Sequence, residues 1–204
     1  MAPQVEIMVN GTPVQVNKDV PLLQGLREQN FSIPSLCFNP VLTGNGSCGL
    51  CIVEVFQHDG PYLVHSCLLY PRQGLKIKTD TARVKQVRRQ AAQLLYSRGP
   101  FPKQEVNELL LALIQTENKD GNTITGETGT GSFTGCLLCG LCVRICQKIG
   151  RNRLTFVGRG KEMHVELVSE RGESCGSCRA CCRICPTGYI APSPQEAFPP
   201  KLYK

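Results

Sequence analysis

The 204 residues contain no tryptophan, and phenylalanine and tyrosine together supply only 6% of them. With twelve of the thirteen cysteines set aside, the hydrophobic fraction falls from 41% to about 35%, thin for a core built by apolar packing alone. No apolar run approaches the ~18 residues that cross a bilayer, which excludes an integral membrane protein. The start, MAPQVEIMVNG, carries no basic stretch leading into an apolar one, so no secretory signal is read and a cytoplasmic location is expected. Without an oxidising compartment, a disulfide scaffold loses its rationale, and metal binding becomes the natural use of so many thiols. The formal charge of +7 counts every cysteine as neutral.

The thirteen cysteines fall into three blocks. Cys37, Cys48, Cys51 and Cys67 form the first, and Cys136, Cys139, Cys142 and Cys146 the second. Cys175, Cys178, Cys181, Cys182 and Cys185 form the third. This grouping marks the domain organisation better than any apolar periodicity.

Around the first block the pattern predicts a small mixed sheet. Val5–Val9 alternates with period two, and Asn10-Gly11 reads as a hairpin turn into Val14 and Val16. A short helix is expected through about Glu28, with Asp19 as cap and Pro21 in its first turn. Ile52–Phe56, Tyr62–His65 and Leu75–Lys78 are further strands, with Asp59-Gly60 turning between the first two. Residues 80–97 read as a helix capped by Asp80, with Val84, Val87, Ala91, Leu94 and Leu95 inward and Arg83, Lys85, Arg88 and Arg89 outward. After Gly99-Pro100 a second helix is expected over 103–117, then a Gly/Thr-rich loop. Leu154–Val157 and Met163–Val168 read as a hairpin, and the proline-rich tail after Ile190 as extended.

The second and third blocks share one cadence. Cys136-x2-Cys139-x2-Cys142-x3-Cys146 is matched by Cys175-x2-Cys178-x2-Cys181-x3-Cys185-Pro186, the two-cluster [4Fe–4S] ferredoxin pattern. Three closely spaced thiolates grip three corners of a cubane, and a distant cysteine must take the fourth. The expected sets therefore cross: Cys136, Cys139 and Cys142 with Cys185, and Cys175, Cys178 and Cys181 with Cys146. A pair of zinc sites is the alternative, but zinc sites place two ligands close and two far rather than repeating this cadence twice. Using Cys182 in place of Cys181 breaks the spacing, so Cys182 is read as a packed free thiol. Gly140 and Gly176 allow backbone amides to approach the sulfurs.

The first block reads Cys37-x10-Cys48-x2-Cys51-x15-Cys67. Its close pair runs directly into a strand, as in plant-type [2Fe–2S] ferredoxins, although the first gap is longer. Gly44, Gly46 and Gly49 suit a loop wrapping a flat cluster. Spacing favours [2Fe–2S] over zinc.

Taken together, Ile33-Pro34-Ser35-Leu36-Cys37, the Gly46–Val55 stretch, Cys67 and the basic helix at 80–97 resemble the N-terminal part of the large iron–sulfur subunit of respiratory complex I. The same module occurs in the diaphorase iron–sulfur subunit of NAD-linked hydrogenases, in iron-only hydrogenases and in NAD-linked formate dehydrogenases. The resemblance covers residues 4–190. It implies an α+β chain in which a β-grasp [2Fe–2S] ferredoxin domain (1–79) is followed by a two-helix linker (80–118). A loop (119–135), a two-[4Fe–4S] bacterial ferredoxin-like domain (136–190) and a tail (191–204) complete it. Many members carry an extra His-x3-Cys-x2-Cys-x5-Cys site, whereas 98–135 contains neither His nor Cys, so that cluster is expected to be missing. A less common relative, such as the electron-input module of a class II benzoyl-CoA reductase, stays open.

No flavin, nicotinamide, molybdopterin or nickel site is visible, so no residue is assigned a catalytic role. The expected function is electron transfer through one [2Fe–2S] and two [4Fe–4S] clusters. The expected partners are a flavin and NAD(P)H-binding subunit or a ferredoxin on one side, and a separate catalytic oxidoreductase subunit on the other. No nucleic-acid contact and no direct membrane insertion are expected. The succinate dehydrogenase or fumarate reductase iron–sulfur subunit is a rival, disfavoured by the x10 gap and two complete quartets. A redox sensor that exposes its basic helix is a rival of another class. GETGTGSFTG at 126–135 lacks the lysine of a phosphate loop and reads as a connector. His65 is read as a strand-surface residue that could reach the region of Cys67. Twelve thiolates and three oxidised cores of +2 each would bring the formal +7 to about +1, so the basicity is largely a counterweight to the cofactors. The same metal–sulfur cages would replace part of the core, so the metal-free chain is expected to fold poorly.

Overall fold

The computed structural model describes residues 3–115, 135–168, 175 and 178–190. The connector at 126–135 (all but Gly135), Gly176 and the tail after Ile190 lie outside the described residues. Two units emerge from the chain's own contacts, Met1–Tyr96 with Leu109–Gly126, and Ser97–Glu108 with Glu127–Lys204.

The first unit is organised by a five-stranded mixed sheet. Strands β1 (Gln4–Val9) and β2 (Thr12–Asn17) pair antiparallel, closing at Val9↔Thr12. Asn10 and Gly11 both take positive φ, as a two-residue turn matched to strand twist requires, so Gly11 fits where a Cβ would be strained. Helix α1 (Leu22–Glu28) follows. Strands β3 (Ile52–Gln57) and β4 (Gly60–His65) form a second hairpin, and β5 (Lys76–Lys78) enters between the two pairs. The order is β2-β1-β5-β3-β4, with β1 and β5 parallel and every other neighbour antiparallel.

Period-two alternation puts Ile7 and Val9 of β1, Val53 and Val55 of β3 and Ile77 of β5 on one face, buried with Leu22, Leu23 and Leu26 of α1. Each such side chain contributes roughly 1.5–3 kcal/mol by leaving water. β3 is buried on both faces: Ile52 and Glu54 point to the other side, where helix α2 (Ala82–Tyr96) lies against the strand.

Three local expectations change. α1 begins after Pro21 with no side-chain cap; the Asp19 N–H donates to Asn17 Oδ1 two residues back, which commits this stretch to an Asx turn. α2 is capped by Thr81 rather than Asp80: Thr81 Oγ1 accepts from the Val84 N–H at 3.2 Å. The inward stripe of α2 is Val84, Arg88 and Ala92, so Arg88 leaves the cationic face assigned to it, and Leu94 is exposed. Helix α3 (Gln104–Gln115) buries Val106 and Leu110.

In the second unit, helix α4 (Leu141–Lys148) packs against helix α5 (Ala180–Ile184) and strand β6 (Leu154–Val157). β6 pairs antiparallel with β7 (His164–Leu167) through the expected hairpin, a short 3₁₀ turn at Gly160–Glu162 lying between them. No helix among the described residues is long and apolar enough to cross a membrane.

Candidate iron–sulfur site

The β3–β4 hairpin fixes two of the four N-terminal thiols. Ile52 faces His65 in the ladder, so Cys51 and Cys67 flank the open end of the hairpin, and the fifteen intervening residues are the hairpin itself. Ser66 clamps that end, its N–H and Oγ–H both donating to the Cys51 carbonyl at 3.0 and 2.8 Å. The other two thiols come from the long loop between α1 and β3. Arg27 ties its first part to the helix, donating to the Ile33 carbonyl at 2.8 Å and to Ser35 Oγ at 2.7 Å.

All four cysteines are at most 3% exposed, and their sulfurs face one another in two pairs. Cys37 and Cys48 Sγ lie 3.4 Å apart, the Cys48 N–H donates to Cys37 Sγ at 3.3 Å, and the Leu36 N–H donates to Cys48 Sγ at 3.5 Å. Within this pair the Cys37 thiol hydrogen bond draws Cys48 down to about 5, with amides of Leu36, Leu50 and Cys37 adding to it. Cys37 is correspondingly pushed up, first by that hydrogen bond and then by burial. Cys67 is drawn down to about 6 by the Cys51 thiol and by the Gly46 and Asn45 amides, while Cys51 is pushed up. Two thiolates are thus already favoured in a buried pocket whose amides converge on sulfur. Among the described residues no group of three or more His, Cys, Asp or Glu is arranged to hold a single metal ion. The paired sulfurs instead present two corners on each side, the donor arrangement that suits a flat two-iron rhomb.

Gly44 is fixed by close approach: a Cβ there would sit 1.9 Å from the Cys67 carbonyl oxygen. His65 is half-buried, and its Nδ1 lies 3.9 Å from the sulfur of Cys51 rather than beside Cys67. Arg88 was missed in the sequence. Its Nη2 donates to the Ile52 carbonyl at 2.7 Å, one residue beyond Cys51. The signal was available in the i, i+4, i+8 series Val84, Arg88, Ala92, which puts the arginine on the apolar stripe.

In the second unit, Cys136, Cys139, Cys142 and Cys185 are drawn together around the start of α4 and the end of α5. Burial pushes Cys142 up most, and the neighbouring sulfurs of Cys139, Cys136 and Cys185 push it further. Burial likewise raises Cys136, the Leu138 amide opposes it, Cys185 adds to it and Arg98 opposes it. Arg98 Nε also donates to the Cys136 carbonyl at 2.7 Å. The four thiols share an apolar hollow with Leu137, Leu141, Val165, Pro186 and Ile190. Cys146, one turn further along α4, accepts from the Arg153 N–H at 3.2 Å. Cys175 is raised first by burial, then by Cys146 and Cys178. Cys181 is pushed up to about 12 by burial, by Cys182 and by Cys175. Cys182, half-buried and in no disulfide, lies against Cys181.

The sheet and its buried quartet of thiols are those of a ferredoxin-type [2Fe–2S] domain within a mixed α+β chain. Residues 2–82 match the 2Fe-2S iron-sulfur cluster binding domain family. Over 93% of its length the chain is 27% identical to a mitochondrial NADH dehydrogenase [ubiquinone] iron-sulfur protein 1 of Solanum tuberosum, covering 28% of that protein. It is 22% identical to an NADPH-Fe(3+) oxidoreductase subunit alpha of Geobacter sulfurreducens, covering 93% of this chain and 24% of the relative. The chain thus spans about a quarter of the length of the curated relatives it matches. Its fold is shared with a chain in the crystal structure of an NAD+-reducing [NiFe]-hydrogenase in the H2-reduced state. That likeness has a TM-score of 0.73 and 24% identity, and covers 90% of this chain and 85% of the other.

Proposed function

We propose that the chain is an electron-transfer iron–sulfur subunit of a multi-subunit, cytoplasmic oxidoreductase. In this reading Cys37, Cys48, Cys51 and Cys67 hold a [2Fe–2S] cluster in a β-grasp domain over 1–79. A two-helix linker (80–118) and a loop (119–135) lead to a ferredoxin-like domain over 136–190. There Cys136, Cys139, Cys142 and Cys185 hold one [4Fe–4S] cluster, and Cys175, Cys178, Cys181 and Cys146 hold the other. A tail (191–204) ends the chain.

The carrying observation is the buried N-terminal quartet, in which paired sulfurs receive N–H donors from Leu36, Cys48, Leu50, Asn45 and Gly46. Each cluster, when bound, takes up and gives back one electron. The chain's part is to supply thiolates, to exclude water and to aim fixed dipoles at sulfur, which lowers the reorganisation that electron transfer demands. The converging sulfurs of Cys142 with Cys136, Cys139 and Cys185, and of Cys175 with Cys146, support the crossed ligand sets. The relatives are subunits of NADH- or NADPH-linked oxidoreductases by name, which favours a flavin and NAD(P)H-binding subunit as one partner and a separate catalytic subunit as the other.

Anaerobic purification from the native host, with iron, zinc and sulfide quantified and co-purifying chains identified, tests the reading. About 10 Fe per chain is expected. About 2 Fe accompanied by zinc refutes the two cubanes, and zinc without iron refutes the whole proposal.

A further inference from the structure

Arg88 is buried on the inner face of α2, 9% exposed, and among the described residues no carboxylate forms an ion pair with it. Glu54, the nearest acid on β3, is engaged by Arg83 at 3.5 Å. One Arg88 nitrogen donates to the Ile52 carbonyl, yet its Nε–H is fully enclosed and has no acceptor. A buried guanidinium with a vacant donor is costly unless negative charge lies within reach. Among the described residues, with Glu54 engaged by Arg83 and Asp80 exposed, the sulfur site is the remaining buried source of negative charge that acts on Arg88. Burial lowers the Arg88 pKa, and the Cys51 sulfur, then Asp80, pull it back up. Arginine keeps its charge throughout, so the site carries a fixed internal cation. The Ala91 Cβ beside Gly49 brings the same helix against the ligand loop, which holds the guanidinium in register with it.

We propose that Arg88, anchored through the Ile52 carbonyl beside Cys51, is the internal counter-ion of the [2Fe–2S] site, raising its reduction potential by stabilising the more negative, reduced state. The inference rests on the reading of Cys37, Cys48, Cys51 and Cys67 as ligands. Arg88 acts here as a positioning and tuning residue and binds no iron itself.

The full chain, reconstituted anaerobically, is titrated potentiometrically with electron paramagnetic resonance detection of the reduced [2Fe–2S] signal. Arg88→Met removes charge and donor, Arg88→Gln keeps a donor without charge, and Arg88→Lys keeps charge with poorer geometry. Arg88→Met is expected to disfavour reduction at least tenfold, about 59 mV for one electron, with Lys nearest the wild type and Gln between. The [4Fe–4S] potentials are expected not to move. A Met variant that holds the cluster and shifts reduction less than twofold overturns the inference. Should the Met variant lose the cluster, equal potentials for Lys and Gln overturn it instead. A wild-type chain with no reduced [2Fe–2S] signal overturns the ligand reading and this inference together, whereas a wild-type signal with unmoved variants overturns the inference alone.

Discussion

Gly44→Ala places one methyl group where the ligand loop meets the end of the hairpin. The new Cβ would lie 1.9 Å from the Cys67 carbonyl oxygen, 2.7 Å from its carbon and 3.1 Å from Leu68 Cδ2. Carbon and oxygen do not approach within about 3 Å, so the two backbones must separate by about 1 Å. Neither atom in the clash belongs to a flexible side chain, so rotamer change gives no relief. Overpacking of this kind costs about 1–3 kcal/mol. The displacement also pulls Cys67 away from the Asn45 and Gly46 amides that donate to its sulfur. Weakening two charge-assisted bonds adds about 1.5–3 kcal/mol, for a combined loss of about 2.5–6 kcal/mol. Since about 1.4 kcal/mol is tenfold, retention of the [2Fe–2S] cluster should fall by at least about fiftyfold. The assay is anaerobic release of the cluster to a chelator, followed by visible absorbance, with the [4Fe–4S] iron counted separately. Release at the wild-type rate would refute both the packing argument and the assignment of Cys67 as a ligand.

Arg27→Ala unties the start of the ligand loop from α1. Its guanidinium is partly solvated, so a loss of about 1 kcal/mol is expected, read as roughly fivefold faster cluster release. Cys185→Ser should remove the cluster held by Cys136, Cys139 and Cys142 while the iron at Cys175, Cys178 and Cys181 stays; loss of the latter instead would show that the ligand sets do not cross. In a metal-free chain that keeps the first-unit fold by circular dichroism, thiolate absorbance in the ultraviolet should titrate at about 5 and about 6, from Cys48 and Cys67. Because both lie below the ordinary thiol value, their stabilising contribution is complete above that value, near 9, and is lost as pH falls toward 5. Titration of every thiol near 9 would contradict this.

The hairpins, the cysteine blocks and the strand after Cys51 are legible because each depends on short-range pattern: alternation, Asn10-Gly11 and repeated spacing. The x15 gap to Cys67 becomes intelligible once β3 and β4 pair, since Ile52 facing His65 is what brings the two cysteines together. The helix caps were misplaced for local reasons. Asp19 is committed to an Asx turn, and Thr81 stands one residue closer to the helix than Asp80. Arg88 was hidden by a different rule, that charged residues stay outside. The rule fails where the interior itself holds negative charge, and the apolar neighbours at positions 84 and 92 were the only trace of that in the sequence.

In the proposed site, four thiolates around an oxidised core of +2 would leave about two negative charges in a pocket whose cysteines are almost wholly buried. Surface lysines are screened by salt and water and do little for a charge at that depth. Compensation has to come from groups that lie inside the same low-dielectric region. The chain supplies two kinds. A glycine-rich loop turns the amides of Asn45, Gly46 and Leu50 toward sulfur, which needs backbone conformations that larger residues would obstruct. A helix laid across the second face of β3 brings in a guanidinium, which explains why that strand is buried on both sides and why α2 belongs with the first unit. The long gap between Cys37 and Cys48 is thus more than a linker, because its length supplies the backbone donors that a shorter loop would have to find elsewhere.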